Sequence, residues 1–222
     1  FILCDVGNYS CKYTMHGEQN SMSPDDHYQD LKRIIQAASG KAHRINVIMP
    51  ILYGGRQHRR TYRESLDCAV ALQELASMGV QNIITFDAHD PRVQNAIPLT
   101  GFDNIMPSYQ VLKAMMKTFD NLNFDKKHFM IVSPDEGAIN RNMYYASVLG
   151  VDLGMFYKRR DYSTVVNGRN PIVAHEYMGN DVTGKDIFIA DDLISSGESM
   201  LDIAIELKKR CLLYTSPSPR DK

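Results

Sequence analysis

The chain has 222 residues, of which 44% are hydrophobic and 23% charged, and its formal net charge is −1 at pH 7. This composition is typical of a globular protein with one large or two small domains. The near-zero net charge gives no support for a nucleic-acid or membrane-surface partner. No apolar run approaches the roughly 18 residues of a membrane span, and no secretion signal is evident. We therefore expect no nucleic-acid partner and no membrane partner.

The four cysteines form no CxxC pair. Their spacing matches neither a zinc site nor a disulfide framework, which excludes a disulfide-stapled secreted domain. Thiols that stay reduced are typical of the cytoplasm, where we expect this protein to reside.

Both ends of the sequence depart from the pattern between them. The chain starts at Phe1 without methionine and already resembles a strand there, so we expect an earlier segment to be missing. The Ser/Pro-rich residues 211–222 resemble a translated sequencing adapter, and we interpret them as a non-native tail. A further strand is expected where this tail begins.

Short apolar runs alternate with amphipathic segments of helical length. Repeated strand–helix–strand units predict an α/β fold with a mainly parallel sheet and helices on both faces. Ile34 and Val70 are expected on the buried faces of the first two helices. The polar stretch 120–127 is the predicted boundary between two lobes. The predicted strands are 45–49, 82–86, 129–132, 153–156 and 186–190, and the predicted helices are 23–40, 65–78, 109–119, 137–149 and 199–210.

The most informative segment of the sequence is 186–199. Its apolar run is followed by Asp191 and Asp192, which would leave the sheet at its carboxyl end, where open α/β sheets bind ligands. Residues 195–199 then bring hydroxyl and backbone N–H groups to a helix N-terminus, which favours anions. Carboxylates repel phosphate, so beside an anion cradle they would contact sugar hydroxyls or a metal, and the combination suits a ribose phosphate. The alternative is an ordinary Asp/Ser helix cap.

Basic and imidazole side chains follow two other predicted strands. Residues 54–60, Gly-Gly-Arg-Gln-His-Arg-Arg, place cations in one short loop, where arginine forks would hold phosphate oxygens. A solvated charge run is the alternative. Farther along, Asp87 and His89 project the same way if their segment is extended, and together they would hold a metal–phosphate complex. A lone histidine there would more often be a packed structural residue.

Two more strand ends carry charged groups. Asp135, in Ser-Pro-Asp-Glu-Gly, suits magnesium, which prefers few carboxylates together with phosphate oxygens and water; helix capping is the alternative. Lys158 and Arg160 open a long loop over 159–175, where they would close over a transferring phosphoryl group. A solvated basic turn is the alternative. All these groups lie at or just after the carboxyl end of a strand.

Taken together, Arg56-Gln57, Asp87-Ala88-His89, Ser133-Pro134-Asp135, Lys158-Arg159-Arg160 and Asp191-Asp192 with 195–199 resemble the ribose-phosphate pyrophosphokinase family, in the family's order. The resemblance implies two phosphoribosyltransferase-type α/β domains, each a mainly parallel sheet flanked by helices. It also implies a homo-oligomer. The implied reaction is pyrophosphate transfer from Mg-ATP to the 1-hydroxyl of ribose 5-phosphate, which gives AMP and 5-phosphoribosyl 1-diphosphate for nucleotide biosynthesis.

The resemblance also implies a role for each matched position. Residues 1–120 would form the ATP-side domain and 121–210 the domain that binds ribose 5-phosphate, each incomplete at its outer end. Lys158 and Arg160 would be catalytic, and magnesium would be bound by His89 and Asp135. The nucleotide would contact Arg56, Gln57 and His89, and the sugar phosphate would contact Asp191, Asp192, Ser195, Ser196, Gly197, Glu198 and Ser199.

The sequence departs from the family at a few of these positions. His58 stands where the commoner members have an acid, and Ser195 and Glu198 replace an acid and a small residue in the sugar-phosphate loop. Glu198 would repel the phosphate unless its side chain points away. These departures indicate a divergent subgroup. The alternatives are a phosphoribosyltransferase, which would need no ATP loop, and a non-catalytic regulatory homologue, which would have lost the basic cluster or the metal residues.

Overall fold

The computed structural model describes residues 1–119, 121–160 and 172–210, with only the backbone described at 158–160 and 172–175. The predicted tail and the middle of the predicted loop lie outside these residues. The chain divides into two compact units, an N-terminal unit of residues 1–109 and a C-terminal unit that begins at Gln110. Within the described part of the chain, no helix is both long and apolar enough to cross a bilayer.

The N-terminal unit is built on a four-stranded sheet in the order β1-β4-β5-β6, in which all neighbouring strands are parallel. A separate antiparallel hairpin is formed by β2 and β3. The elements are β1 (Ile2–Leu3), β2 (Lys12–Met15), β3 (Glu18–Ser21), α1 (Pro24–Ala38), β4 (Ile45–Ile48), α2 (Asp67–Ser77), β5 (Val80–Phe86), a 3-10 helix (Pro91–Ala96) and β6 (Gly101–Ile105).

The start of α1 follows directly from its local sequence. The Ser23 hydroxyl accepts a hydrogen bond from the Asp26 backbone N–H, and the Asp26 carboxylate accepts one from the Ser23 N–H, which forms a capping box. Pro24 occupies the first turn, where its missing N–H costs nothing. The helix starts where the sequence predicts.

Both helices of this unit contribute to one core on one face of the sheet. Val47 and Ile83 are fully buried in the same cluster as Leu31 of α1 and Leu75 of α2. Residues that alternate with them along the strands, such as Ile84, are only partly buried. The predicted placement of helices on both faces is therefore not observed in this unit.

The C-terminal unit has a second four-stranded sheet in the order β10-β7-β8-β9, parallel except for the antiparallel pair β8–β9. The helix α3 (Ser108–Thr118) begins just before it and supplies Met115 to a core around Phe129. The elements are β7 (Phe129–Ser133), α4 (Ile139–Leu149), β8 (Asp152–Arg160), β9 (Ile172–Met178), β10 (Asp186–Phe188) and α5 (Glu198–Lys209).

Helices cover both faces of this second sheet, as the sequence predicts. Phe129 and Ile131 of β7 pack in one cluster with residues of α3 and α4, whereas Met130 and Val132 pack in another with Ile203 of α5. All residues of β7 are buried, which is why its sequence is an unbroken apolar run.

Some elements differ from the sequence-based expectations. The strand β6 and the hairpin were not expected, because their sequences are polar or glycine-rich and carry no clear periodicity. The two compact units divide between Tyr109 and Gln110, in the first turn of α3, and Met115 of this helix packs in the core of the C-terminal unit. Ile34 and Val70 are 51% and 60% exposed, so their predicted burial is wrong.

Candidate functional site

In the N-terminal unit, two predicted site loops meet at one edge of the sheet. The strands β4 and β5 are parallel neighbours, so the segments that follow them start side by side. The first segment carries Arg56, Gln57 and His58, and the second carries His89 and Asp90. The topology alone therefore places the two predicted ATP-side loops next to each other.

The loop after β4 rests on the first turn of α2. Gly54 has a φ of +65°, and a Cβ atom there would lie 2.9 Å from the Asp67 Cβ atom and 3.1 Å from the Cys68 nitrogen. Glycine is therefore required on both conformational and steric grounds. The Gln57 side chain donates a hydrogen bond to the Ser65 carbonyl oxygen at 3.0 Å, which closes the loop, whereas Arg56 is exposed.

The two loops are joined by His58. Its Nε2 atom lies 3.5 Å from Asp90 Oδ2, and both side chains are largely buried. Its ring also packs edge-on against the His89 ring, with centroids 5.1 Å apart. At the position where the commoner family members have an acid, this chain has His58, and Asp90 of the neighbouring loop supplies a carboxylate beside it.

Asp90 is held in its charged form by Arg92. The guanidinium group of Arg92 donates to both carboxylate oxygens, with Nη2 2.6 Å from Oδ2 and Nε 2.9 Å from Oδ1. These hydrogen bonds lower the pKa of Asp90 to about 2. Asp90 also caps the 3-10 helix by accepting from the Arg92 backbone N–H at 2.9 Å. The carboxylate that faces His58 is therefore charged and fixed in place.

Asp87 and His89 were predicted to project the same way from an extended segment, but the segment before His89 is not extended. Asp87 has a φ of +45°, a left-handed conformation that Asp tolerates better than most residues. The end of β6 stabilises this turn, since Asn104 Oδ1 accepts from the Ala88 N–H at 2.9 Å and the Ile105 carbonyl from the Asp87 N–H at 3.1 Å. His89 itself is exposed at the edge.

The C-terminal unit brings a second set of predicted residues together. The parallel neighbours β7 and β10 both end at one edge, followed by Asp135 and by Asp191 with Asp192 respectively. Asp135 Oδ1 accepts a hydrogen bond from the Ala138 N–H at 3.1 Å in the turn that precedes α4, whose N-cap, Ala138, has no side-chain cap hydrogen bond. The carboxylate still lies close enough to Asp191 to affect its pKa.

Asn142, a fully buried polar residue of α4, belongs to none of the sequence motifs. Its Oδ1 atom accepts from the Ala190 N–H at 3.1 Å, and its Nδ2 atom donates to the Ala190 carbonyl at 2.8 Å. Nδ2 also contacts the Ala138 carbonyl at 2.9 Å and Ser133 Oγ at 3.4 Å. One side chain thus ties the ends of β7 and β10 to α4.

Arg141, the preceding residue, likewise belongs to none of these motifs. Its Nη1 atom lies 3.7 Å from Asp191 Oδ1 and its Nη2 atom 3.8 Å from Asp192 Oδ1, and its side chain is 9% exposed. A signal was present in the sequence, since an arginine in the first turn of the helix after Ser-Pro-Asp-Glu-Gly lies near the same sheet edge. The acid pair therefore carries a buried counter-charge.

Burial raises the pKa of Asp191 to about 6. Hydrogen bonding with Asp192 and the negative charges of Asp192 and Asp135 act in the same direction. The Asp192 backbone N–H opposes them by donating to Asp191 Oδ1 at 2.9 Å. Three carboxylates thus concentrate negative charge at this edge.

The segment between the acid pair and α5 is open to solvent. Its serines and Glu198 are exposed, and Gly197 caps α5 with a φ of +83°. The cap has no side-chain hydrogen bond, although Ser196 Oγ accepts from the Glu198 N–H at 3.3 Å. The N-terminus of α5 therefore has the character of an anion site.

Lys158 and Arg160 belong to β8 rather than to the start of a loop. The backbone of Lys158 pairs with His175 and that of Arg160 with Ile172. The parallel pairing of β8 with β7 ends at Met155, opposite Ser133, so the basic cluster continues beyond the carboxyl end of β7. Its side chains lie outside the described part of the structure.

The ligand atoms of Asp135 and His89 determine how well each residue would bind a magnesium ion. No cluster of three or more His, Cys, Asp or Glu residues suited to a metal occurs among the described residues. Asp135 supplies the hard oxygen ligands that magnesium prefers, and the remaining positions would be filled by phosphate oxygens and water. His89 is a less usual magnesium ligand. Asp135 therefore fits a phosphate-bound magnesium ion, whereas His89 fits it less well.

Comparison with known proteins gives two family matches in chain order. Residues 12–79 match the N-terminal domain of ribose phosphate pyrophosphokinase, and residues 101–212 match the phosphoribosyl transferase domain. The second match covers half of the chain and contains Asp135, the basic cluster and the acid pair.

Relatives and solved structures agree with these matches. Ribose-phosphate pyrophosphokinases of Ralstonia nicotianae and Chlorobaculum tepidum are 30% and 28% identical to this chain over 86% of its length. The chain spans 58% and 56% of those two relatives. The crystal structure of phosphoribosylpyrophosphate synthetase from Mycobacterium smegmatis aligns with a TM-score of 0.72 at 20% identity, over 88% of this chain and 63% of that one.

Proposed function

Because this chain belongs to the ribose-phosphate pyrophosphokinase family, we propose that its protein transfers pyrophosphate from Mg-ATP to ribose 5-phosphate. The observation that carries the proposal is the junction of two loops in the N-terminal unit, where His58 contacts both Asp90 and His89. A single-domain phosphoribosyltransferase would not need this second site, which the loops after β4 and β5 form in the N-terminal unit. The products would be AMP and 5-phosphoribosyl 1-diphosphate.

In this proposal, the acceptor sugar binds in the C-terminal unit. Asp191 and Asp192 accept hydrogen bonds from ribose hydroxyls, because carboxylates suit hydroxyl donors and repel phosphate. The backbone N–H groups and hydroxyls of 195–199 hold the 5-phosphate at the N-terminus of α5. Within that segment Ser195, Ser196, Gly197 and Ser199 supply the donors, while Glu198 is the one acidic member.

The donor nucleotide binds in the N-terminal unit. Arg56 holds phosphate oxygens or stacks on the base, and Gln57 and His89 complete the contact. The oxygen of the sugar 1-hydroxyl forms a bond to the β-phosphorus and its proton is released to solvent. The bond from that phosphorus to the oxygen it shares with the α-phosphate breaks, and AMP leaves with that oxygen. Lys158 and Arg160 stabilise the negative charge of the transferring group, since phosphoryl transfer depends on positioning and electrostatics.

Magnesium, when bound, neutralises phosphate charge. Asp135 and, less favourably, His89 are the residues proposed to hold it. We also propose that the protein is a homo-oligomer, on the basis of its family, and that it works in the cytoplasm.

The test is formation of AMP by the full-length protein from ATP, ribose 5-phosphate and Mg²⁺. Lys158→Ala is expected to lower kcat far more than it weakens ribose 5-phosphate binding; equal effects would argue against its role in the transition state. A phosphoribosyltransferase would instead release pyrophosphate from 5-phosphoribosyl 1-diphosphate with a nucleobase. A regulatory homologue would form no AMP, and that result would exclude the proposed activity.

A further inference from the structure

The acid pair Asp191-Asp192 faces one cation that neither the family resemblance nor the sequence motifs include. The guanidinium group of Arg141 lies 3.7 Å from Asp191 and 3.8 Å from Asp192, and it contacts one oxygen of each with a different nitrogen. Only 9% of the Arg141 side chain is exposed. A largely buried, planar cation therefore faces two adjacent carboxylates at once.

The negative charge at this edge of the sheet explains why a cation is favourable there. Asp135, Asp191 and Asp192 crowd one edge of the sheet, and mutual repulsion together with burial would favour protonation or displacement of the carboxylates. Arginine stays charged at any accessible pH, and its fork fixes two oxygens in a defined direction, which the point charge of lysine does not. Arg141 thus places a permanent positive charge beside both carboxylates.

The two separations between the guanidinium nitrogens and the carboxylate oxygens are those of an ion pair. Charge-assisted N–H···O contacts are about 2.7–2.9 Å long, and both separations at Arg141 are longer. At this range the guanidinium group attracts both carboxylates electrostatically.

The residue after Arg141 fixes the adjacent backbone. Asn142 holds Ala190 through two hydrogen bonds, at 3.1 and 2.8 Å. Two consecutive residues of α4 therefore contact one segment. Asn142 binds the backbone of Ala190, and Arg141 faces the side chains of Asp191 and Asp192. The acid pair is held from α4, outside its own loop.

We propose that Arg141 is a positioning residue that prepares the Asp191-Asp192 pair to bind the hydroxyls of the acceptor ribose. This inference rests on the proposed function, and it adds a residue that acts through the acid pair rather than on the substrate itself. Its loss should weaken sugar binding selectively, because the nucleotide is assigned to the other unit.

The experiment measures ribose 5-phosphate affinity by titration calorimetry and both KM values by AMP formation, with the full-length protein. Arg141→Gln should weaken ribose 5-phosphate binding by about tenfold or more, as expected for loss of a buried charged interaction, and leave the KM for ATP within about twofold of wild type. Arg141→Lys, which keeps the charge but not the fork, should fall between wild type and Arg141→Gln.

Lys185→Gln is the matched control in the same unit. The Lys185 side chain is 13% exposed and its Nζ lies 3.9 Å from Asp152, at the opposite end of β8. This variant should lower the melting temperature without changing ribose 5-phosphate affinity. A similar loss of affinity in Lys185→Gln would reveal general destabilisation and overturn the inference.

The remaining outcomes separate the two proposals. If the wild-type protein forms AMP and Arg141→Gln and Arg141→Lys bind ribose 5-phosphate as well as wild type, the positioning role is wrong and the function stands. If Arg141→Gln fails to fold, Arg141→Lys still decides, because unchanged affinity in a folded lysine variant contradicts the requirement for the fork. A wild-type protein that forms no AMP and does not bind ribose 5-phosphate overturns both proposals.

Discussion

The side-chain amide of Asn142 and the backbone of Ala190 exchange two hydrogen bonds, from the Ala190 N–H to Oδ1 at 3.1 Å and from Nδ2 to the Ala190 carbonyl at 2.8 Å. The strand β10 ends at Phe188, so these bonds satisfy backbone groups just past the end of the strand. The carboxylates that follow are thereby held against α4. The buried Asn142 side chain thus holds the backbone between the end of β10 and the candidate site.

Asn142→Ala is expected to destabilise the protein by about 2 kcal/mol or more, because a buried N–H and a buried carbonyl lose their partners. Chemical denaturation measures the loss. Asn140→Ala, at an exposed position of the same helix, is the control and should be close to neutral. A similar small effect for both variants would contradict the structural role of Asn142.

His58→Ala is expected to raise the KM for ATP severalfold and to leave the KM for ribose 5-phosphate unchanged. The substitution removes the contacts of His58 with Asp90 and His89, so the two loops lose their direct connection. Steady-state kinetics measure both constants. His43→Ala changes an exposed histidine of the same unit and should alter neither; equal increases in both constants with His58→Ala would exclude a role specific to the nucleotide loops.

Glu198→Ala is expected to strengthen ribose 5-phosphate binding by about two- to fivefold, most at low salt, because an acid at the α5 N-terminus competes with phosphate for the helix dipole. Calorimetry with ribose 5-phosphate and with ribose separates the phosphate effect from the sugar effect. Glu206→Ala removes a similar charge near the other end of α5 and serves as the control. Weaker phosphate binding in Glu198→Ala would indicate that the carboxylate supports the site.

Alkaline pH is expected to destabilise the N-terminal unit through two stacked tyrosines. Tyr28 and Tyr53 lie with ring centroids 4.4 Å apart. Tyr53 donates a hydrogen bond to Asp25 at 2.7 Å, which raises the pKa of its phenol to about 12, and burial raises the pKa of Tyr28 further. Because both folded-state values exceed the ordinary value of 10.0, the stabilisation is complete below that pH and is lost as pH rises through about 12.

Denaturation midpoints between pH 8 and 12 test this expectation, with ultraviolet absorbance reporting tyrosine ionisation. Tyr53→Phe should reduce the alkaline loss of stability, since one of the shifted groups is gone. The control is Tyr62→Phe, at a side chain that is 82% exposed. The same alkaline loss in Tyr53→Phe as in wild type would exclude Tyr53 as a contributor.

The sequence predicted those features whose signals are local. The capping box of α1 is complete within four consecutive residues, Ser23 to Asp26, and the helix begins there. The apolar run at 129–132 predicted a strand, and β7 forms there with all of its residues buried. By contrast, β6 was missed because the five residues Gly101–Ile105 include only two large apolar side chains and no apolar run. Val70 was misplaced because periodicity gives the spacing of a helix face but not its angle toward the sheet.

By itself, therefore, the sequence determined the α/β fold class, the family and the placement of charged groups at the ends of strands. Only the tertiary structure decided which of those groups meet. His58 reaches Asp90 because β4 and β5 are neighbours, and Asn142 reaches Ala190 across 48 positions of the chain. Strand order and helix rotation depend on packing over the whole unit, so no local pattern encodes such pairs.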